Sequence, residues 1–390
     1  MSLSLLMTDL HLYIHYPFCL SKCPYCDFNS HTKNNIEQQR FLDGYLKEMQ
    51  FFADKIGKRR IKTIFFGGGT PSLMSPYFLE QIIAKIDNLW QITDDCEITL
   101  EANPTSFEAE KFQDFKNIAI NRISLGIQSL NDPDLQFLGR NHTAKEAMEV
   151  IKTTAKIFDN FSFDLIYSLP EQKLTNWQEE LQKALDFNTK HLSLYQLTIE
   201  KGTKFYQQYQ KGDFFMPKDD LSAKFYEKTG QIMAKNDYID YEISNYAKKN
   251  YESQHNLAYW QSKEYLGIGA GAHSRIKIDN VRNSIQMLSL PEKWLEKVEK
   301  TGYGIQKQEK INREEFFEEF LLMGLRLKEG IKNDDFLTNF GKNIGDLIKI
   351  AKLQPLIDQN LLLCDKNQLK ITKKGRLLTN RIIFEIIDNL

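Results

Sequence analysis

The sequence predicts an α/β fold, and three observations predict it. Between residues 10 and 200, six short strand-like segments alternate with segments of helical periodicity. One after another, those strand segments deliver a polar or glycyl residue near their C-terminal ends. Beyond residue 200 the alternation gives way to helices and a terminal hairpin. Strands joined by helices imply right-handed βαβ units and a parallel sheet. Six such units imply a partial or complete α/β barrel.

In chain order the strands read as LHLYIHY (10–16), IKTIFFGGG (61–69), CEITLEANP (96–104), RISLGIQS (122–129), FSFDLIYSLP (161–170) and HLSLYQLTIE (191–200). Each is rich in β-branched or aromatic residues and bounded by Gly, Pro, Asn or Ser. Ile36, Phe41, Tyr45, Met49, Phe52 and Ile56 stripe one helical segment, and SPYFLEQIIAKIDNLW carries a similar stripe. Past residue 200, KGTKFYQQYQKGDFFMPKDD reads as an excursion, 219–235 as a helix, and the stretch to about 290 as irregular and Gly-rich. From 310, NREEFFEEFLLMGLRL and IGDLIKIAKLQPLIDQ read as helices, followed by the hairpin LLLCDKNQLKIT and a last helix. That order is winged-helix-like. The expected organisation is a barrel core over 1–200, a barrel extension over 201–300 and an accessory helical unit over 301–390.

Composition narrows the function classes. Lys+Arg 51 against Asp+Glu 52 leaves a net charge of −1, so no global field favours nucleic acid or an anionic membrane. The basic end (Lys370, Lys373, Lys374, Arg376, Arg381) reads as solvated surface. MSLSLLMTDLHLYIH does not read as a signal peptide, and no apolar run is long enough to span a bilayer. Five cysteines, odd in number and mostly clustered, argue against a disulfide framework and for a reducing, cytosolic setting.

Cys19, Cys23 and Cys26 carry the sharpest chemistry. Pro24 interrupts any helix there, so the three thiols belong on a loop after the first strand. Thiolates gathered so closely suit iron–sulfur or zinc, and three of them leave one coordination position free. At the strand ends stand Gly67-Gly68-Gly69-Thr70-Pro71, Glu101 and Gln128, with Asp164 inside its strand and Arg140 on a turn. Each alone reads as a turn or a cap. Together they mark the rim where α/β barrels gather their chemistry. GGGTP is not a phosphate loop, because no Gly-Lys-Ser/Thr follows. HNLAYW (255–260) supplies a histidine of the kind that ligates heme, with Tyr259 and Trp260 suited to pack on a flat macrocycle. Taken alone, His255 reads as a hydrogen-bonded structural histidine, and His273 in GIGAGAHS as a structural or pocket residue.

The spacing C-x3-C-x2-C resembles the radical S-adenosylmethionine (SAM) superfamily. LYIHYPFC, FFGGGTPS, EANP, GIQS, LGRNHT and FDLIYSLP resemble, along essentially the whole chain, its oxygen-independent coproporphyrinogen oxidase group. The resemblance implies a partial TIM-type (β/α)6 barrel and a 4Fe–4S cluster on Cys19, Cys23 and Cys26. It implies SAM contacts at Tyr13, Gly68, Gly69, Thr70, Glu101, Gln128, Arg140 and Asp164. Arg140 would take the SAM carboxylate, and Gln128 and Asp164 the ribose. EEFFEEFLLMGLRLKEGI resembles the group's accessory domain.

Two departures separate the chain from the oxidases. Phe28 stands where they carry a further cysteine, and only 18 residues precede Cys19, where they carry a longer extension. H-N-x-x-Y-W is similar to the signature of heme chaperones of the HemW type. That likeness implies a cytosolic chaperone holding heme through His255, Tyr259 and Trp260 and passing it to acceptor proteins, some of them membrane-bound. A flavodoxin-type reductant and peripheral membrane contact go with it. The alternative is SAM-dependent oxidative decarboxylation of coproporphyrinogen III. A third reading, nucleic-acid binding by the winged-helix-like unit, would show as strong salt sensitivity.

Overall fold

The structure is a computed structural model that describes residues 7–33 and 35–389. The first six residues of the start read above as no signal peptide lie outside the described residues. All six expected strands form: β1 (Asp9–Tyr16), β2 (Arg60–Gly68), β3 (Gln91–Ala102), β4 (Arg122–Gln128), β5 (Asn160–Tyr167) and β6 (His191–Gln196). They pair in parallel in sequence order.

The stretch expected to be irregular carries five short strands and a helix. It supplies β7 (Ile239–Asp240), β8 (Asn245–Ala247), β9 (Tyr265–Ile268), β10 (His273–Ile278) and β11 (Val281–Met287), and β12 (Ile305–Lys310) follows. The twelve strands form one sheet ordered β12-β11-β10-β9-β1-β2-β3-β4-β5-β6-β8-β7. β9 runs parallel to β1, with His11 opposite Tyr265 and Ile14 opposite Ile268. Seven parallel strands therefore stand where six were expected. The seventh was hidden because a four-residue strand runs straight into a glycine turn, with Gly269 at φ +104° and Gly271 at φ +83°. Antiparallel strands flank both ends of the parallel set, so the barrel is partial.

Helices cover the outer face. Along α1 (Gln38–Ile56), Phe41, Tyr45, Met49 and Phe52 fall three and four apart and are buried, with Leu42 beside them. α2 (Pro76–Leu89) starts at Ser75, whose side chain accepts from the Phe78 N–H, with Pro76 in the first turn. Reciprocal capping between Thr143 and Glu146 opens α3 (Ala144–Ile157). A short helix, α4 (Gln254–Trp260), carries HNLAYW. Against α1 packs α5 (Pro291–Thr301), whose Trp294 indole donates to the buried Glu48 at 3.0 Å. Burial pushes the Glu48 carboxyl up to about 7, against the backbone N–H donors of Gly269 and Gly304.

The C-terminal segment has its own core of Phe320, Leu321, Phe336, Phe340, Leu369 and Ile383. Its helices include α6 (Arg313–Gly324) and α7 (Thr379–Asp388), beside a three-stranded antiparallel sheet. The expected hairpin is there, with Leu362 opposite Ile371. α6 leans on the barrel through Arg275, which pairs with Glu319 at 2.6 Å, and through Arg282, which covers the Phe316 ring at 4.1 Å.

Candidate functional site

The cysteine loop leaves β1 at Tyr16 and is fastened along its length. Phe18–Cys19 pairs in parallel with His31–Thr32. Lys22 Nζ donates to the carbonyls of Phe28 (3.3 Å) and Ser30 (3.2 Å), closing the loop on itself. The excursion after residue 200 braces its middle: Phe205 N donates to the Pro24 carbonyl at 2.9 Å, and the Tyr25 and Phe205 rings lie 6.2 Å apart. The three thiols are half-buried and none is in a disulfide. Thr70 Oγ1 donates to Cys19 Sγ (3.4 Å) and Arg140 Nη1 to Cys23 Sγ (3.3 Å). Burial pushes the Cys19 and Cys26 thiols up, an effect that a bound metal ion opposes. Among the described residues no three His, Cys, Asp or Glu side chains form a single-ion site. A cubane asks for no such convergence, because each thiolate takes its own iron.

The glycine run sits under this loop for a steric reason. A Cβ on Gly69 would lie 2.5 Å from the Phe18 carbonyl oxygen, so only glycine lets the two backbones approach. Gly69 N and Thr70 N donate to the Tyr16 and Phe18 carbonyls. Gly68, at φ +116°, turns its N–H onto Glu101 Oε2 at 3.1 Å. Gln128 also holds a left-handed backbone, φ 72°, as β4 ends. Arg140 Nη2 donates to Asn103 Oδ1 and to the Gly126 carbonyl, both at 2.8 Å, while its buried Nε has no partner among the described residues.

Gly68, Gly69, Thr70, Glu101, Gln128, Arg140 and Asp164 line one cavity of about 230 Å³ with all three cysteines. Two of its walls are buried carboxyls. Burial, then the Asp164 charge, pushes Glu101 up to about 8, and burial raises Asp164 to about 6. An acid pair in this position favours a guest that brings positive charge, and the free Arg140 Nε favours one that also brings a carboxylate.

Tyr13 stands elsewhere. Its ring turns inward from β1, stacks on Phe65 and His255, and meets His15 Nδ1 through its hydroxyl at 3.0 Å. It lines a second cavity, of about 520 Å³, which shares Phe28, Gly68 and Glu101 with the first. Tyr259, Trp260, Tyr265, His273 and Met323 complete the aromatic side of that cavity. His255 is not on its wall. It is 1% exposed, with Nδ1 at 2.6 Å from Thr63 Oγ1 and Nε2 at 2.9 Å from the Tyr259 hydroxyl. Burial holds its pKa well below the usual histidine range, so the ring is neutral.

Several lining residues escaped the sequence reading. Asn103 and Gly126 sit inside EANP and GIQS, so their motifs were seen but their contacts to Arg140 were not. Asn29, on the cysteine loop, donates to the Ala270 and Ser289 carbonyls at 3.0 and 2.9 Å. Met323, from α6, carried no signal at all, since only the docking of the accessory unit brings it to the second cavity.

The radical SAM superfamily model matches residues 13–184, and the HemN C-terminal domain model matches residues 311–378. The mitochondrial radical S-adenosyl methionine domain-containing protein 1 of Mus musculus is 34% identical, over 98% of this chain and 88% of its own length. The heme chaperone HemW of Haemophilus influenzae is 35% identical, over 97% of both chains. Among solved structures, coproporphyrinogen III oxidase (HemN) from Escherichia coli, a radical SAM enzyme, superposes with a TM-score of 0.83 at 20% identity, covering 98% of this chain and 91% of its own. That last likeness concerns the fold.

Proposed function

Since the chain belongs to the radical SAM superfamily, and within it to the family of HemW and its mitochondrial relatives, we propose that it is a heme chaperone built on a SAM-binding barrel. The observation that carries this reading is the second cavity. Tyr259 and Trp260 of HNLAYW line it, and it adjoins the cysteine-bearing cavity at Phe28, Gly68 and Glu101. Cys19, Cys23 and Cys26 would hold a 4Fe–4S cluster, three thiolates leaving one iron open to SAM. Held there, such a cluster would supply one-electron reducing chemistry beside the SAM site.

The chain's own residues do the positioning. Glu101 and Asp164 offset the positive charge of SAM, while the Gly68–Thr70 backbone shapes the wall beside its amino group. Arg140 takes the carboxylate and Gln128 and Asp164 the ribose, with Tyr13 closing the side nearest the second cavity. His255, Tyr259 and Trp260 serve heme, two of them by facing it. Heme then passes to acceptor proteins, membrane-bound enzymes among them, with a flavodoxin-type reductant feeding the cluster. Among the described residues no helix is long and apolar enough to cross a membrane; contact with membrane-bound acceptors is peripheral in this reading. Phe28 supports this role over the oxidase one: it is 59% exposed and lines both cavities at the position where an oxidase carries a further cysteine.

Two assays on one anaerobically reconstituted preparation test the proposal. Hemin titration is expected to show saturable binding. Coproporphyrinogen III, supplied with SAM and a reductant, is expected to stay unconverted. Formation of protoporphyrinogen IX would overturn the chaperone reading.

A further inference from the structure

We propose that His273, rather than His255, is the imidazole that meets the iron of a heme in the second cavity, and that His255 acts as a positioning residue for Tyr259. The inference rests on the heme-chaperone reading and adds the identity of the ligand.

An iron ligand needs an unshared nitrogen lone pair aimed at the cavity. Two histidines line that cavity, His15 and His273. His15 is 5% exposed and both its nitrogens are engaged, Nδ1 with the Tyr13 hydroxyl at 3.0 Å and Nε2 with the Asn29 carbonyl at 2.9 Å. The carbonyl requires an N–H on Nε2, which leaves Nδ1 to accept from Tyr13. His255 lies behind the wall with both nitrogens bonded. To reach iron it would have to give up Tyr259 or Thr63 and leave its stack on Phe65, 5.1 Å between centroids. Among the described residues neither ring nitrogen of His273 makes a hydrogen bond, and its side chain is exposed.

Its mounting is rigid. His273 opens β10, opposite Gln286 of β11, immediately after the Gly269–Gly271 turn. Asn29 reaches across from the cysteine loop and donates to the Ala270 carbonyl in that turn. Met323 brings a thioether to the same cavity, a ligand type found beside histidine in heme proteins. Tyr259 presents its ring while its hydroxyl is held by His255 Nε2. His255 thus fixes a surface on which the macrocycle lies.

Hemin titration of the full, reconstituted chain, read by absorption and electron paramagnetic resonance, tests this. The wild type is expected to show imidazole-ligated bands. His273→Ala is expected to lose them and bind hemin about tenfold more weakly or worse, and added free imidazole is expected to restore the bands. His255→Gln is expected to keep the bands and weaken binding only severalfold. Retention of the bands in His273→Ala, with their loss in His255→Gln, would overturn the assignment and leave the chaperone role standing. Failure of imidazole to restore them in His273→Ala would also count against it. Absence of saturable hemin binding in the wild type would bring down the chaperone reading itself.

Discussion

The two neighbouring cavities are built on opposite principles. The first is assembled mainly from strand ends and the loop after β1, joined by the turn that carries Arg140, and its walls are backbone, thiol, carboxyl and guanidinium. The second draws on β1, the cysteine loop, the short helix α4, the turn before β10 and the accessory helix α6, and its walls are mainly aromatic. A site made at successive strand ends has its geometry set by the sheet register. A site made from remote segments exists only once those segments have docked. The first suits a small charged cofactor that stays. The second suits a large flat cargo that arrives and leaves.

Substitutions can separate the two. The largest effect belongs to the cysteines: alanine at Cys19, Cys23 or Cys26 is expected to take iron content from about four per chain to near zero. Hemin binding should survive, since no cysteine lines the second cavity. Iron and sulfide analysis beside a hemin titration checks both halves. Next comes Arg140→Ala, which removes the donors to Asn103, Gly126 and Cys23. Losing charge-assisted bonds of about 1.5–3 kcal/mol should weaken SAM binding roughly tenfold to a hundredfold, measured by calorimetry, with hemin affinity unchanged.

Gly69→Ala is subtler. The new methyl meets the Phe18 carbonyl oxygen, and relieving that overlap should cost about 1–3 kcal/mol. Thermal melts and faster loss of cluster would register it. The last effect concerns pH and appears only in the SAM-free protein. Glu101 has its pKa raised from the ordinary 4.5 to about 8 in the folded chain. Between those values the folded form keeps a proton that the unfolded chain releases, so stability of the SAM-free protein falls as pH rises through that window. Glu101→Gln should flatten the fall, gaining stability at pH 8 and nothing at pH 4, as denaturant titrations at the two pH values would show.

The same contrast explains what was legible in the sequence. The parallel strands β1–β6 announce themselves through period, β-branched content and turn residues, and their ends named the first cavity's lining in advance. Tyr13 was the exception, because a strand's alternation places a side chain inside the barrel without saying which of two adjoining spaces it enters. β9 went unread because its pairing with β1, not its own four residues, makes it a strand. HNLAYW was visible as a motif, yet its division of labour was not: at helical spacing, His255 and Tyr259 lie i and i+4 and bond to each other. Only the packing of α4 against Thr63 and Phe65 shows which of them looks outward.

The measurement closest to the central claim is a hemin titration of three reconstituted proteins in parallel: the wild type, Tyr259→Ala/Trp260→Ala, and Cys23→Ala. Heme held in the second cavity predicts saturable binding in the wild type and in Cys23→Ala. It predicts binding weakened about tenfold or more in the aromatic double variant, from the loss of two large contact surfaces, with cluster content there unchanged. Full hemin affinity in the double variant together with its loss in Cys23→Ala would place the heme at the cluster instead and contradict the account.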